Sequence, residues 1–215
     1  MSASLPQTEK KRLNVLWQYE VLDTVPEELF DDLTELAAHI CEAPTAMISL
    51  VDESRQWFKS RVGITMTETS RKVSFCAHAI KQSDLFIVPD ATKDQRFANN
   101  PMVVSEPRIR FYAGAPLITP DGHALGTLCV MDKVPRNLRP DQRKALIILA
   151  RHVVSQLELR RRSRELADVR AQRDELQRKL DAVQAKTVKA ATHLSGNSQS
   201  KPRKDFRQKA KKNRQ

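Results

Sequence analysis

The stretch SFCAHAI, residues 74–80, places a cysteine and a histidine two positions apart in an apolar setting. These residue types could form a nucleophile with its base, part of a metal site, a chromophore anchor or the wall of a pocket. If the stretch is helical, Cys76 and His78 lie about 200° apart around the axis. Ser74 and His78 then share one face, and Cys76 and Ile80 share another. A Cys–His catalytic dyad within this segment is therefore disfavoured.

The other cysteines and histidines do not suggest a metal site. Three cysteines and five histidines show no paired spacing of the kind that metal ligands have. Cys41 ends an amphipathic helix and Cys129 lies in an apolar strand, so both are interpreted as core residues. His78 is interpreted as a polar group at a pocket edge. Cys76 is the one thiol expected near a ligand, and neither a metal nor a cofactor is predicted.

Length and composition fit one domain of ordinary size with additions. No apolar run is long enough for a signal peptide or a membrane span, which predicts a cytoplasmic protein with reduced thiols. The net charge of +11 is uneven, because residues from Thr187 onward hold nine Lys or Arg and one Asp. This basic tail has little to bury and is predicted to be disordered. It could touch nucleic acid or an acidic membrane non-specifically, or only aid solubility.

The elements that must position these residues follow from periodicity. A capping box from Thr24 to Glu27, with Pro26 in the first turn, predicts a helix that Pro44 ends. The next strands are predicted as two hairpins, with Trp57 and Phe58 on opposite faces of the second strand. The helix is predicted to bury Leu29, Leu33, Leu36, Ala37 and Ile40, and the strands are Ala46–Val51, Gln56–Val62, Ile109–Leu117 and Ala124–Met131.

A second helix is predicted from Pro140, and its apolar face is formed by Leu146, Ala150, Val153 and Leu157. The order helix, hairpin, irregular middle, hairpin, helix predicts an α+β fold with an antiparallel sheet, of which the third strand is half-buried. Terminal helices would pack on one face. The irregular middle, residues 65–108, would cover the other face and enclose a cavity.

Residues 158–187 are rich in Arg, Glu, Gln, Leu and Ala and contain no Gly or Pro. With heptad position a at Leu159, six of the nine a and d positions are apolar, which predicts a coiled coil. A single solvated helix is the alternative. The a and d residues are Leu159, Arg162, Leu166, Val169, Arg173, Leu176, Leu180, Val183 and Thr187.

Several stretches, in order, resemble GAF domains, especially the sensory GAF domains that precede histidine kinase and diguanylate cyclase modules in bacteria. They cover roughly Arg12 to Leu157 and read YEVLDTVPEELFDDLTELAAHIC, MISLVDESRQWFKSRVG, ETSRKVSFCAHAI, VPDATKDQRFANNP, IRFYAGAPLITPDGHALGTLCVMD and PRNLRPDQ. The resemblance implies a PAS-related, six-stranded antiparallel sheet with flanking helices on one side and a small-molecule pocket on the other. It also implies dimers formed through terminal helices.

The resulting organisation is an N-terminal segment (1–11), a GAF sensory domain (12–157), a coiled-coil helix (158–187) and a disordered basic tail (188–215). No phosphoacceptor histidine box, ATP-binding module or GGDEF-like sequence follows the predicted coiled coil. The hypothesis therefore includes a separate signalling output protein, and binding of an unidentified small ligand would move the helix that leaves the sheet.

Three ligand classes of the family can be compared with these residues. Phytochrome-like GAF domains attach a bilin to a cysteine followed directly by histidine, whereas Ala77 intervenes after Cys76, so bilin attachment is not expected. The cysteine arrangement of the GAF-type free methionine sulfoxide reductases is not found around Cys41, Cys76 and Cys129. The N-K-F-D-E constellation of cyclic-nucleotide GAF domains is also not found.

The resemblance implies pocket residues from the bordering helix, the VPDATKDQRF segment and the third strand. Arg71, Arg96 and Arg110 could neutralise an anionic ligand through bidentate contacts. Asp94 and Arg96 could instead brace a loop, and Arg110 could pair with Glu106. The candidate ligand-binding residues are Arg71, Ser74, Cys76, His78, Asp90, Asp94, Arg96, Phe97, Arg110 and Tyr112.

The leading hypothesis is a stand-alone GAF sensory protein that binds a small ligand, forms a homodimer and regulates a partner without chemistry of its own. The first alternative is a thiol-dependent reductase that acts through Cys76. The second is a scaffold with a vestigial pocket, whose basic tail docks on nucleic acid or membrane.

Overall fold

A computed structural model describes residues 7–196. Its helices and strands follow the predicted order, with short additional elements between the two hairpins. A 3₁₀ turn at Arg71–Val73 precedes the third helix. The helices are α1 (Gln7–Gln18), α2 (Glu28–Cys41), α3 (Cys76–Ala79), α4 (Pro101–Val104) and α5 (Pro140–Gly196), and the strands are β1 (Thr45–Val51), β2 (Arg55–Val62), β3 (Glu68–Ser70), β4 (Phe86–Val88), β5 (Phe111–Ile118) and β6 (Ala124–Asp132).

The six strands form one antiparallel sheet in the order β3-β2-β1-β6-β5-β4. The two predicted hairpins, β1–β2 and β5–β6, meet where β1 pairs with β6 at the centre of the sheet. The predicted α+β class and six-stranded antiparallel sheet are therefore confirmed.

Side-chain alternation divides the core between the two faces of this sheet. Trp57 packs into a helix-side core with Phe30 of α2 and Val153 of α5. Phe58 packs into a second core beneath the segment between the hairpins, together with Phe75. The opposite orientation of Trp57 and Phe58 is confirmed. The prediction that β5 is half-buried is wrong, because the covering segment buries Tyr112 on its second face completely.

The predicted start of α2 is wrong in its details. Glu27 is the N-cap residue, but no side-chain hydrogen bond caps the helix. Thr24 Oγ1 instead donates to the Val21 carbonyl oxygen at 2.7 Å. The helix ends at Cys41, and Glu42 adopts a left-handed conformation before Pro44 is reached. The capping box fails because Thr24 and Glu27 both contact the Lys59 side chain of β2.

The buried face of α2 also differs from the prediction. The residues that α2 buries fully are Phe30, Thr34, Ala37 and Cys41. Leu29 and Leu36 are exposed, although Leu33 and Ile40 pack at the edge of the core. The predicted face is therefore rotated by about one residue from the observed face.

Two predicted boundaries shift. The predicted N-terminal segment 1–11 overlaps α1, which begins at Gln7 and continues to the buried Leu13 and Leu16. The apolar face of α5 from Leu146 to Leu157 is confirmed. The helix continues to Gly196, beyond the predicted end of the coiled coil at residue 187. The rest of the predicted basic tail, 197–215, lies outside the described residues, and its contacts stay predictions.

The chain divides into two compact units, and α5 contributes to both because the division falls between Arg164 and Glu165. In this single chain the apolar heptad side chains of α5 are 50–65% exposed; they are Leu159, Leu166, Val169, Leu176, Leu180 and Val183. The coiled coil stays a prediction. Among the described residues, no helix combines the length and the apolar character needed to cross a bilayer.

Candidate ligand pocket

A small cavity lies between the sheet and the segment that covers its second face. Its volume is about 20 Å³, which is room for roughly one water molecule. Strands β1, β2, β5 and β6 form its floor, and the 3₁₀ turn, α3 and α4 contribute to its cover. The residues that line it are Met47, Gln56, Phe58, Ile64, Met66, Thr69, Val73, Phe75, Cys76, Met102, Pro107, Ile109, Tyr112 and Met131.

An open groove of about 530 Å³ adjoins this cavity. The two spaces share five lining residues, namely Ile64, Met66, Pro107, Ile109 and Met131. Four methionines line the cavity: Met47, Met66, Met102 and Met131. Methionine side chains are unbranched and adopt many shapes, so they can repack around a guest molecule. Two of the five residues shared by cavity and groove, Met66 and Met131, are therefore adaptable side chains.

The polar groups at the cavity are few and already paired with one another. Gln56 Nε2 donates to Thr69 Oγ1 at 2.6 Å, and Gln56 Oε1 accepts a short hydrogen bond from Ser74 Oγ. Ser74 Oγ also accepts from the backbone N–H of Ala77 at 3.0 Å, which fixes the first turn of α3. Ser74, a predicted ligand residue, therefore positions Gln56 and α3 and is not itself among the lining residues.

Two cysteines from distant parts of the chain meet beside the cavity. Cys76 of α3 and Cys129 of β6 have their Sγ atoms 3.9 Å apart, and both side chains are buried. The Tyr112 hydroxyl donates to Cys76 Sγ at 3.3 Å and lies 3.3 Å from Thr127 Oγ1. Gly114 makes this arrangement possible, because a Cβ there would lie 2.2 Å from the Tyr112 hydroxyl oxygen.

The two thiols have different electrostatic surroundings. Burial alone would raise the pKa of Cys76, but hydrogen bonds from Cys129, Thr127 and Tyr112 lower it below its ordinary value. Burial, together with the adjacent Cys76, raises the pKa of Cys129. Burial also raises the pKa of Tyr112, so its hydroxyl stays protonated and can donate. The sequence did not reveal this pair, because 53 residues separate its members.

The predicted separation of Cys76 from His78 is confirmed. Cys76 points to Cys129, whereas the His78 ring meets Phe97 edge-on, with ring centroids 4.8 Å apart. Burial, followed by the charges of Lys81 and Arg96, lowers the pKa of His78. Within the described residues, no group of three or more His, Cys, Asp or Glu side chains could hold a metal ion.

The three candidate arginines contact protein groups outside the cavity. Arg71 forms an ion pair with Glu9 at 2.7 Å, and Arg96 forms one with Asp94 at 2.5 Å. The interpretation of Asp94 and Arg96 as a loop brace is confirmed. Arg110 donates to the carbonyl oxygen of Val103 at 2.9 Å. The predicted Arg110–Glu106 pair is wrong.

Glu106 pairs with Lys133 and Arg108 instead. Asp90 accepts hydrogen bonds from the Thr92 backbone and hydroxyl, so it holds an exposed turn. Phe97 is fully buried and stacks on Phe75, with ring centroids 4.1 Å apart. Of the ten candidate residues, Cys76 and Tyr112 are the two that line the cavity.

The apolar lining was missed because no charged or catalytic residue type marks it. Met47 and Phe58 occupy the strand faces opposite the terminal helices, and alternation along β1 and β2 is the sequence signal that could have identified them. Met66 and Met102 lie outside the strands, where no periodicity applies.

Comparisons with known proteins agree with this architecture. A cyclic di-GMP phosphodiesterase of Pseudomonas aeruginosa is 45% identical to the chain over 131 residues, which is 61% of this chain and 22% of that protein. The chain thus spans about a fifth of that relative's length.

Solved structures resemble the chain in fold. The GAF domain of an Acinetobacter phosphoenolpyruvate-protein phosphotransferase matches with a TM-score of 0.51 and 17% identity, over 72% of this chain and 95% of that one. The free methionine-R-sulfoxide reductase of Neisseria meningitidis, solved with its substrate, matches with a TM-score of 0.52 and 14% identity, over 76% and 97%. The family model for the GAF domain matches residues 25–157, well over half of the sequence, and the chain therefore belongs to the GAF domain family.

Proposed function

We propose that this chain is a sensory GAF protein that binds a small ligand between its sheet and the covering segment and transmits the bound state through α5. The observation that carries the proposal is the position of two neighbouring residues on β2. Phe58 lines the cavity, and Lys59 on the opposite face reaches Glu27, which also binds Arg160 of α5. A displacement of β2 by a ligand would therefore act directly on α5.

The cavity lining favours a small, mostly apolar ligand with one or two hydrogen-bonding groups. Methionine and aromatic side chains dominate the wall, while Gln56, Thr69, Cys76 and Tyr112 supply its polar atoms. The arginines expected to neutralise an anion contact Glu9, Asp94 and a backbone carbonyl instead. Entry of a ligand would require the shared methionines, Met66 and Met131, to move into the adjoining groove.

The output is proposed to be a separate protein, controlled by a homodimer whose subunits meet through α5. Exposed apolar side chains at heptad spacing support a second copy of this chain as the partner helix. The relative named as a cyclic di-GMP phosphodiesterase suggests cyclic di-GMP turnover as a process in which the output partner acts. That enzyme's activity is not assigned to this chain, which spans about a fifth of its length.

Native mass spectrometry of the full chain, purified from its own cells, tests both parts of the proposal. We expect a two-chain particle that retains a small molecule. Leu176→Glu combined with Leu180→Glu should convert the particle to single chains, because both substitutions place charge in the a/d seam. Ala171→Glu combined with Ala185→Glu is the matched control, since both positions lie opposite that seam in the heptad.

Two results would contradict the proposal. A single-chain wild-type particle at micromolar concentration would exclude the dimer. Wild-type protein without any retained molecule, whose melting temperature is unchanged by an extract of small molecules from its own cells, would exclude the sensor.

The thiol-dependent reductase remains a second candidate, favoured by the hydrogen bonds that lower the pKa of Cys76. In the described arrangement the cavity at Cys76 holds little more than a water molecule, so a sulfoxide substrate would also have to open it. If the chain is a sensor, we expect Cys76→Ser to stay folded and still to retain a ligand in native mass spectrometry, because serine keeps a hydrogen-bonding group at the cavity, although the affinity changes. If wild type shows a thiol-dependent sulfoxide reduction and Cys76→Ser loses it completely, the result would favour the enzyme instead.

A further inference from the structure

Cys76 and Cys129 form a buried pair with its own polar surroundings. Cys76 belongs to the covering segment and Cys129 to the central part of the sheet, where it lies opposite Met47 of β1. Their Sγ atoms are 3.9 Å apart. The Tyr112 hydroxyl donates to Cys76, and Cys129 Sγ lies 3.7 Å from the Met47 carbonyl oxygen. This is the one place among the described residues where two thiols meet.

We propose that Cys76 and Cys129 are a peroxide-sensitive dithiol that closes to an intramolecular disulfide joining α3 to β6. The proposal does not depend on ligand sensing. It depends on the geometry of the pair, on the neighbouring hydrogen-bond donors and on a route by which a water-sized oxidant reaches Cys76.

Cys41, the third cysteine, is an ordinary core thiol and serves as an internal comparison for the pair. Cys41 lies on the helix side of the sheet, in the core opposite the one that holds Cys76 and Cys129. Burial raises the pKa of Cys41 to about 11. The thiolate is the reactive form of cysteine, so Cys41 should react with an oxidant more slowly than Cys76. Cys76 differs because it receives the Tyr112 hydroxyl.

A route to Cys76 exists for a small oxidant. Cys76 lines the small cavity of about 20 Å³, and this volume suits a molecule of the size of water or hydrogen peroxide. Met66 and Met131 line both that cavity and the open groove. Rotation of these unbranched side chains admits a small neutral molecule without unfolding the covering segment. Bulky oxidants are excluded by the same dimensions.

The chemistry balances with one peroxide molecule. The Cys76 thiolate attacks a peroxide oxygen, so that an S–O bond forms, the O–O bond breaks and the released hydroxide leaves as water after taking a proton. Cys76 is now a sulfenic acid. Cys129 sulfur then attacks Cys76 sulfur, the S–S bond forms, the S–O bond breaks, and the hydroxide leaves as water with the Cys129 proton. Two thiols are oxidised and one peroxide is reduced to two water molecules.

The required movement is small. A disulfide needs its sulfur atoms about 2.05 Å apart, so the Sγ atoms, now 3.9 Å apart, must approach by roughly 2 Å. The new bond would fix α3 against β6 and remove the Cys76 acceptor from the Tyr112 hydroxyl. Oxidation would thereby fasten the covering segment to the floor of the cavity.

The test exposes the folded full-length chain to hydrogen peroxide, then blocks free thiols under denaturing conditions and maps peptides by mass. We expect a disulfide between the peptides that contain Cys76 and Cys129, formed at least about tenfold faster than any modification of Cys41. In Cys129→Ser the reaction should stop at a sulfenic acid on Cys76, which dimedone reports as an adduct when it is added together with the denaturant. Cys41→Ser is the matched control and should form the disulfide at the wild-type rate.

Near-ultraviolet circular dichroism before treatment confirms that each variant is folded. Formation of the disulfide in wild type and in Cys41→Ser, together with a Cys76 sulfenic acid in Cys129→Ser, supports the proposal. The proposal is overturned if Cys41 reacts as fast as Cys76, or if the linked peptide forms only in urea. It is also overturned if methionine sulfoxides accumulate while Cys76 and Cys129 stay reduced.

Discussion

Replacement of Gly126 by alanine should lower the free energy of unfolding by about 4 kcal/mol or more, or leave no folded protein. A Cβ at this position would lie 1.8 Å from the Ser49 carbonyl oxygen and 2.8 Å from Leu50 Cα. Both are backbone atoms of β1, which pairs with β6 at the centre of the sheet. Side-chain rotation cannot relieve a clash with backbone, so the two hairpins would have to separate.

Urea denaturation followed by far-ultraviolet circular dichroism measures this loss. Gly122→Ala is the matched control, because it lies in the β5–β6 turn and nothing comes within 4 Å of its added Cβ. Its φ of +81° should still cost about 1–2 kcal/mol, since an L-residue resists the left-handed region. If the two variants lose similar free energies of unfolding, the close backbone approach of β1 to β6 is not the reason that position 126 requires glycine.

The sheet could be predicted because its signal is local and repeats every two residues. Trp57 and Phe58 are adjacent, both large and both buried, so they can only be accommodated on opposite faces of a covered strand. The strand limits shifted by no more than two residues because charged turns bound them. The pairing of β1 with β6 is a long-range contact that no local pattern encodes, and it was not predicted.

The orientation of α2 could not be predicted because its sequence offers two helical stripes. One stripe holds Leu29 and Leu36, and the other holds Phe30 and Thr34, one residue further along. The second stripe appears less apolar in the sequence because Thr34 carries a hydroxyl group. In the structure Thr34 Oγ1 donates to the Phe30 carbonyl oxygen at 2.9 Å, so the hydroxyl has its hydrogen-bond partner within the helix. Packing of the Phe30 ring near Lys59 of β2 decides between the stripes.

The candidate site was predicted less well than the fold because charge was used as the signal for ligand contact. A guanidinium in a folded chain pairs with protein acceptors within its reach, whether carboxylates or backbone carbonyl oxygens. Arg71 meets Glu9, which comes from α1 more than sixty residues earlier in the chain. The methionines that do line the cavity have no charge and no fixed spacing, so only the three-dimensional arrangement brings them together.

The link between β2 and α5 rests on a buried ammonium group. The Lys59 side chain is fully buried, and its Nζ lies 2.6 Å from Glu27 Oε1, 2.9 Å from Thr24 Oγ1 and 2.7 Å from the Val25 carbonyl oxygen. Glu27 also accepts from Arg160 Nε at 3.0 Å. Glu27 is therefore the shared counter-charge of Lys59, which follows the cavity-lining Phe58 on β2, and of Arg160 on α5.

Glu27→Gln should consequently lower the free energy of unfolding by about 2–3 kcal/mol at neutral pH. Glutamine keeps the shape and an acceptor oxygen but removes the charge, which leaves Lys59 buried beside neutral groups. This expected loss is smaller than is usual when a buried ion pair is broken, because the Glu27 side chain is 35% exposed and water screens part of its charge. Glu28→Gln, on the exposed side of α2, is the matched control and should change stability by less than about 0.5 kcal/mol.

The pH dependence of the difference in unfolding free energy between wild type and Glu27→Gln distinguishes loss of charge from a packing defect. Burial alone would raise the pKa of Glu27, but Lys59 and Arg160 lower it below the ordinary value of 4.5. A carboxyl whose folded pKa is depressed stabilises the protein above its unfolded pKa, and that contribution disappears as the pH falls through the folded pKa. The gap between wild type and Glu27→Gln, measured by urea denaturation, should therefore be largest near neutrality and should close below pH 4.5. A gap that stays constant into acid would mean that the Glu27 charge does not hold Lys59 and Arg160 together, and the proposed connection from the cavity to α5 would lose its physical basis.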